Sequence, residues 1–153
     1  MLSEVHDPEI PVVNIVEMGI VKNVEFSGEA VRVEITPTYS GCPAMKIIED
    51  DIITAFRSNG YENIFVNMVY SPPWTTNWLS DSTKEKLKAY GIAPPGKLTD
   101  EVIVLLPTIE ETVACPFCES KETELRSDFG STACKAIHYC NSCNQPFEHL
   151  KEI

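Results

Sequence analysis

The sequence predicts an α+β fold: a small mixed β-sheet with helices packed on one face, in the order β-β-α-β-α, followed by a small β ribbon. Apolar residues recur with regular spacing through residues 1–92. A segment rich in proline and glycine follows at 93–100. Five of the six cysteines lie beyond it. We therefore expect two domains, 1–92 and 101–153, joined by a linker at 93–100.

Two strands open the predicted sheet. Residues 20–26 and 31–35 are rich in β-branched residues, and the second segment alternates apolar with charged side chains. The turn between them contains Gly28, which can take a positive φ. This pattern predicts a β-hairpin with one buried face.

A helix, a third strand and a second helix complete the first domain. Residues 43–58 place apolar side chains on one helical stripe and end at Asn59-Gly60. Residues 64–70 are nearly all apolar, which predicts a strand buried on both faces. Residues 82–90 form a short charged helix closed by Gly91.

The charge balance excludes several classes of partner. The formal net charge is −11, and no basic cluster offers a surface for nucleic acid or anionic lipid.

The sequence shows neither a membrane-spanning segment nor an export signal. The longest apolar run, 102–106, is too short to span a bilayer. The first ten residues carry three acids and no basic segment typical of a signal peptide. We expect a cytoplasmic protein whose thiols stay reduced.

Cys42 stands alone between a predicted strand and a predicted helix. Pro43 suits the first position of a helix, which would make Cys42 the N-cap. A sulfur among free backbone N–H groups at the positive end of the helix dipole should have a lowered pKa. The alternative is a small structural cysteine buried at a tight corner.

A loop rich in proline and a pair of tryptophans offer companions for this thiol. Asp7 and Glu9 flank Pro8 and are candidate metal ligands, or else caps of the loop. Trp74 and Trp78 are candidates for an aromatic plug over the end of the sheet.

The tail carries two C-x2-C pairs, Cys115 with Cys118 and Cys140 with Cys143, separated by twenty-one residues. This spacing is typical of a ribbon in which four thiolates hold a structural zinc. Iron uses the same ligands, and two disulfides would require an oxidising compartment. The predicted ribbon is therefore metal-bound.

Cys134, the fifth cysteine of the tail, is not needed in a site of four ligands. We interpret it first as a packing residue and second as a functional thiol.

Several segments of the chain resemble known families. The segments DPEIPVVNIVEMGIVKNVEF, TPTYSGCPAM and VYSPPWTTNWLS resemble the domain of SufT-type iron–sulfur assembly factors, over residues 3–90. Together with FGSTACKA and PFEHLK in the tail, the whole chain resembles the PaaD (PaaJ) family. Its members are small accessory components of the bacterial phenylacetyl-CoA epoxidase system, which belongs to phenylacetate catabolism.

The resemblance implies a protein without turnover of its own, a subunit of a multicomponent oxygenase system that assists installation of iron or an iron–sulfur cluster. It implies that Cys42 is the functional thiol, with Asp7 and Glu9 in the loop beside it. The implied partners are other epoxidase subunits or iron–sulfur assembly proteins, and the expected cofactor is zinc, with iron or an iron–sulfur cluster as the alternative. The oligomeric state is left open.

Four other functions compete with this one. The chain could be an electron carrier with an iron-loaded four-cysteine site, or a general iron–sulfur assembly factor not tied to phenylacetate. It could be a thiol enzyme with Cys42 as nucleophile and His6 as base, although no third group orients that base. A nucleic-acid ribbon is disfavoured because the tail from residue 101 has nine acidic and four basic residues. A protein partner fits the tail better, with Phe117 or Phe147 as an exposed anchor.

Overall fold

The computed structural model describes residues 1–96 and 112–153. The chain divides into two compact units, residues 1–83 with Ile153, and residues 84–152. The domain limits at 92 and 101 remain a prediction. The second half of the expected linker and the apolar run at 102–106 lie outside the described residues.

The elements of the first part of the chain follow the predicted order. A 3-10 helix at Leu2–Glu4 precedes the sheet and a second one spans Thr76–Trp78. The order β-β-α-β-α is confirmed, with bounds that differ from the predicted ones by one or two residues. The elements are β1 (Val21–Ser27), β2 (Ala30–Ile35), α1 (Ala44–Ser58), β3 (Asn63–Met68) and α2 (Asp81–Tyr90).

The sheet is mixed, in the order β1-β2-β3. β1 and β2 form the antiparallel hairpin, and Gly28 in its turn has a φ of +60°. β3 runs parallel to β2, with Val33 opposite Val66. Parallel neighbours need a crossover connection, and α1 supplies it. The loop that carries Cys42 therefore lies where the chain leaves the end of β2 for this helix.

The core of the first unit lies beneath the apolar stripe of α1. Ile48, Ile52 and Phe56 are at most 1% exposed, and the inward residues of β2 are fully buried. The charged residues that alternate with them, Arg32 and Glu34, lie on the other face of that strand. Apolar residues thus recur about every 3.6 positions in the helix and at every second position in the strand, and both sets pack into one apolar layer.

The prediction that the third strand is buried on both faces was wrong. Ile64 and Val66 are half-buried, whereas Phe65 is 55% exposed. β3 is an edge strand, and the helix α1 contacts the sheet from one side. An apolar sequence indicated β structure correctly, but the position of the strand in the sheet decided its burial.

The second unit contains a four-stranded sheet in the order β4-β7-β6-β5. β5, β6 and β7 form an antiparallel meander. The two residues of β4 pair in parallel with β7, an addition that the sequence did not predict. The strands are β4 (Ile92–Ala93), β5 (Thr123–Ser127), β6 (Lys135–Cys140) and β7 (Gln145–Leu150).

Within the described ranges, no helix has the length and apolar character needed to cross a lipid bilayer.

Two isoleucines of α1 provide a matched test of this core. Replacing Ile52, which is fully buried, by alanine should lower the free energy of unfolding by about 2–5 kcal/mol, since it leaves a cavity. The same change at Ile47, which is 51% exposed, should alter it by about 0.5 kcal/mol at most. Urea unfolding followed by tryptophan fluorescence measures this, because both tryptophans lie in the first unit. Equal costs at the two positions would contradict the assigned orientation of α1.

Candidate metal centre and functional thiol

Four cysteine sulfurs of the second unit converge. The Sγ atoms of the two C-x2-C pairs all lie within 4.8 Å of one another. Sγ of Cys115 is 3.7 Å from that of Cys143, and Sγ of Cys118 is 3.6 Å from that of Cys140. Cys115 and Cys118 lie in a turn that precedes β5, and Cys140 and Cys143 bracket the turn between β6 and β7.

Local backbone geometry creates the two turns. Glu119 and Asn144, each directly after the second cysteine of a pair, adopt left-handed φ values of +62° and +56°. The N–H of Glu119 donates to the carbonyl of Cys115 at 2.9 Å, which closes the first turn. The hydroxyls of Ser120 and Ser142 lie 2.7 Å apart and join the two turns. The small polar residues of these turns thus bring both pairs together.

The four sulfurs fit a tetrahedral metal ion. Zinc–sulfur bonds of about 2.3 Å place neighbouring sulfurs of a tetrahedron about 3.8 Å apart, close to the two shorter distances above. Cys115 and Cys140 are fully buried, in a small apolar cluster with Ala93 and Phe147. The predicted four-cysteine group is thus assembled, and its donors suit zinc or iron.

The thiols themselves need a cation in order to ionise together. A hydrogen bond from the backbone of Cys143 lowers the pKa of Cys140 to about 7. Burial raises the pKa of Cys143 to about 12. Four adjacent thiolates repel one another, so a metal ion must displace the protons that they would otherwise keep.

Cys134 lies apart from this group. Its side chain is 5% exposed, and its Sγ is 3.1 Å from Oγ1 of Thr132. The burial agrees with the interpretation of a packing residue, which stays a prediction.

The predicted N-cap role of Cys42 was wrong. The helix begins at Ala44 with Pro43 in the cap position, and no side chain caps it. Cys42 lies one residue earlier, where its carbonyl accepts from the N–H of Met45 at 3.3 Å. The loop before it turns at Gly41, whose φ is +81°.

The expected low pKa of Cys42 was also wrong. Burial raises the pKa of this half-buried thiol, and the carboxylates of Glu9 and Asp7 raise it further. Hydrogen bonds from the backbone of Ala44 and from Tyr39 act in the opposite direction but do not prevail. Burial, with a smaller contribution from these carboxylates, therefore outweighs the lowering of the Cys42 pKa that a helix start would produce.

Asp7 and Glu9 belong to one tight loop. Asp7 is 6% exposed, and its Oδ1 accepts from the N–H groups of Glu9 at 2.7 Å and Ile10 at 3.0 Å. Asp7 therefore caps the loop, and both carboxylates lie close enough to influence Cys42. Among the described residues, only the four tail cysteines form a group with ligand atoms within 4.8 Å. The three residues are thus neighbours without being an assembled metal site.

The two tryptophans differ in their surroundings. Trp74 is buried, and its Nε1–H donates to the carbonyl of Met18 at 2.7 Å. Trp78 is 36% exposed, with Nζ of Lys22 2.9 Å from the centre of its ring. Only Trp74 is buried as a plug should be.

Two family models match different parts of the chain. Residues 100–151 match the family model of the PaaD zinc beta ribbon domain, and residues 1–64 match that of iron–sulfur cluster assembly proteins. These matches, together with the fold and the cysteine group, define a domain of the iron–sulfur assembly type followed by a four-cysteine ribbon of the PaaD type. The chain is 42% identical over all 153 residues to a protein of Escherichia coli (strain K12) that is named as a putative subunit of 1,2-phenylacetyl-CoA epoxidase, and it covers 90% of that protein. It therefore belongs to the PaaD family.

Relatives without the tail resemble the first part alone. The Fe-S protein maturation auxiliary factor SufT of Staphylococcus aureus (strain USA300) is 37% identical over 80 residues, which are 51% of this chain and 90% of that protein. A crystal structure of a domain of unknown function, DUF59, from Bacillus anthracis matches with a TM-score of 0.53 at 32% identity. The match covers 56% of this chain and 83% of that one. The α+β fold of the first part is therefore confirmed.

Removing one ligand tests the four-sulfur site. The Cys140→Ser variant should lose the bound metal and the folded ribbon, since structural zinc supplies about 10–16 kcal/mol of folding free energy. Cys134→Ser, which changes a buried cysteine outside the group, should keep one metal ion per chain. Elemental analysis and hydrogen exchange of the tail measure both. Metal retained by Cys140→Ser, or lost from Cys134→Ser, would refute this ligand set.

Removing one charge tests the surroundings of Cys42. Because the Glu9 carboxylate raises the pKa of Cys42, Glu9→Gln should lower it. The pH dependence of alkylation, monitored by mass spectrometry of the Cys42 peptide, should move to lower pH. Glu62→Gln, beyond the far end of α1, provides the control and should leave the profile unchanged. An unchanged profile in Glu9→Gln would place Glu9 away from the thiol.

Proposed function

We propose that this chain is a non-catalytic maturation component of phenylacetyl-CoA epoxidase, which helps to install iron or an iron–sulfur cluster in the oxygenase of phenylacetate catabolism. The observation that carries the proposal is a half-buried thiol, Cys42, influenced by two carboxylates in a domain of the iron–sulfur assembly type. The name of the Escherichia coli relative supports the assignment to the epoxidase.

Cys42 acts as a transient ligand for the metal that is delivered. Burial is the main reason that the thiol keeps its proton, and the two carboxylates that add to this effect are groups that attract a cation. When a divalent ion binds, the S–H bond breaks, a sulfur–metal bond forms and the proton leaves to water. The product is a thiolate that the metal itself stabilises.

The weakness of this site suits a carrier. It offers one sulfur and two carboxylates, and one oxygen of Asp7 is already occupied by two backbone N–H groups. Such a set holds an ion less firmly than four thiolates do, so the ion can pass to a partner. The loop hydrogen bonds keep Asp7 oriented without making it a strong ligand.

The ribbon holds zinc as a structural ion and offers a surface for the partner. Phe117 is 52% exposed and can anchor another subunit, whereas Phe147, the other predicted anchor, is 4% exposed and belongs to the core. We propose that the partners are other epoxidase subunits or iron–sulfur assembly proteins of the cytoplasm.

The alternative function, an electron carrier, requires iron in the four-cysteine site. A colourless protein with one zinc per chain would exclude that alternative.

Cell-based metal loading tests the role of Cys42. When the epoxidase subunits are co-expressed with Cys42→Ser, the iron content and activity of the oxygenase should fall about tenfold, since a serine hydroxyl does not replace a thiolate as a soft ligand. Metal in the ribbon should be unchanged, which shows that the variant is folded.

Cys134→Ser is the control in the same experiment and should support normal loading. If Cys42→Ser supports normal loading as well, Cys42 has no part in the mechanism. If loading is impaired in both variants, the effect is a general one of losing a cysteine.

A further inference from the structure

Two histidines lie side by side on one face of the ribbon sheet. β6 and β7 pair with Ala136 opposite His149 and His138 opposite Phe147, which makes the two histidines diagonal neighbours. Their ring centres are 5.3 Å apart, and the side chains are 8% and 5% exposed. Neither residue belongs to the four-sulfur group.

A carboxylate lies beside this pair. Oε1 of Glu152 is 3.4 Å from Nε2 of His149, and it also accepts from the N–H of Gly96 at 2.7 Å. Two atoms that are each about 2.1 Å from one ion at a tetrahedral angle are about 3.4 Å apart. His149 and Glu152 form an ion pair in the absence of a metal, and the distance between their atoms also matches that of two ligands of a single ion.

All three side chains line a cavity of about 700 Å³ within the second unit. His138 is more than nine-tenths buried, and its ring stacks on Phe147. Among the described residues, Thr36 Oγ1 is the one fully buried polar side-chain atom without a hydrogen-bond partner, so the ring nitrogens of His138 reach the cavity. The cavity also contains Glu124 and Asp128, with Lys151 as the one basic side chain of its described lining. A buried imidazole that faces an acidic cavity in this way is suited to bind a cation.

We propose that His138, His149 and Glu152 form a second metal site, which takes a divalent first-row transition ion such as zinc, cobalt or nickel. Imidazole and carboxylate are donors of intermediate hardness that suit these ions, unlike the four thiolates nearby. The ligand atoms do not all lie within 4.8 Å of one another before the ion arrives. The ring of His138 therefore turns toward the ion, and the cavity provides the space. Water completes the coordination, so the site stays open on one side.

Cobalt reports on the two kinds of site separately. The full-length protein with zinc in the ribbon is titrated with Co²⁺, and bound cobalt is measured by equilibrium dialysis and visible absorption. One further cobalt per chain should bind with the weak d–d bands of nitrogen and oxygen ligands. The same titration of Cys42→Ser removes any cobalt held by the proposed transient thiol site, and these bands should remain there without thiolate-to-cobalt charge transfer.

Histidine variants identify the ligands. His138→Phe, which retains a ring to stack on Phe147, and His149→Phe should each lose the additional cobalt while keeping the ribbon zinc. The third histidine of the chain, His6, is exposed in the first unit and bonded to the carbonyl of Pro11, so His6→Phe is the matched control. It should bind cobalt as the wild type does.

The stoichiometry of the wild type decides the question even if a variant fails to fold. A zinc-loaded wild type that binds no further cobalt would overturn the proposal. Nitrogen and oxygen d–d bands that persist in both His138→Phe and His149→Phe when Cys42 is also replaced by serine would overturn it as well, and so would cobalt lost from His6→Phe alone.

Discussion

Four sulfurs held within 4.8 Å of one another can all be thiolates only around a cation. This constraint organises the second unit, because the chain must bend sharply twice to bring the two pairs together. The left-handed residues Glu119 and Asn144 and the paired hydroxyls of Ser120 and Ser142 serve that requirement. β6 and β7 then continue from the turn between Cys140 and Cys143, so the register of the sheet begins at the metal site. We therefore expect folding of the ribbon to be coupled to the binding of an ion at these sulfurs.

Cysteine has opposite uses in the two parts of the chain. In the ribbon, four adjacent thiols are arranged so that one bound ion would displace their protons together. Among the described residues Cys42 does not belong to such a group of ligands, and its burial and acidic neighbours favour the thiol over the thiolate. In the proposed mechanism, the ribbon therefore keeps its ion, whereas Cys42 passes its ion to a partner protein.

Local signals in the sequence were sufficient for much of the fold and for the cysteine ribbon. The hairpin at Gly28, the stripe of α1 and the C-x2-C spacing depend on residues close together in the chain, and all three features are present. The burial of β3 could not be predicted, because the position of a strand in a sheet is a property of the topology. The pKa of Cys42 depends first on its burial and then on carboxylates more than thirty residues away in the chain. The histidine pair depends on the register of β6 against β7, which the spacing of residues 138 and 149 does not reveal.

The short strand β4 has a practical consequence for anyone who wishes to study the ribbon alone. Ala93 is 1% exposed and belongs to the same apolar cluster as Cys115, Cys140 and Phe147. An expression fragment that starts at residue 101, where the cysteine-rich composition suggests a cut, would omit this strand and uncover two of the four sulfurs to solvent and oxygen. A fragment that starts at Lys84 retains the whole compact unit.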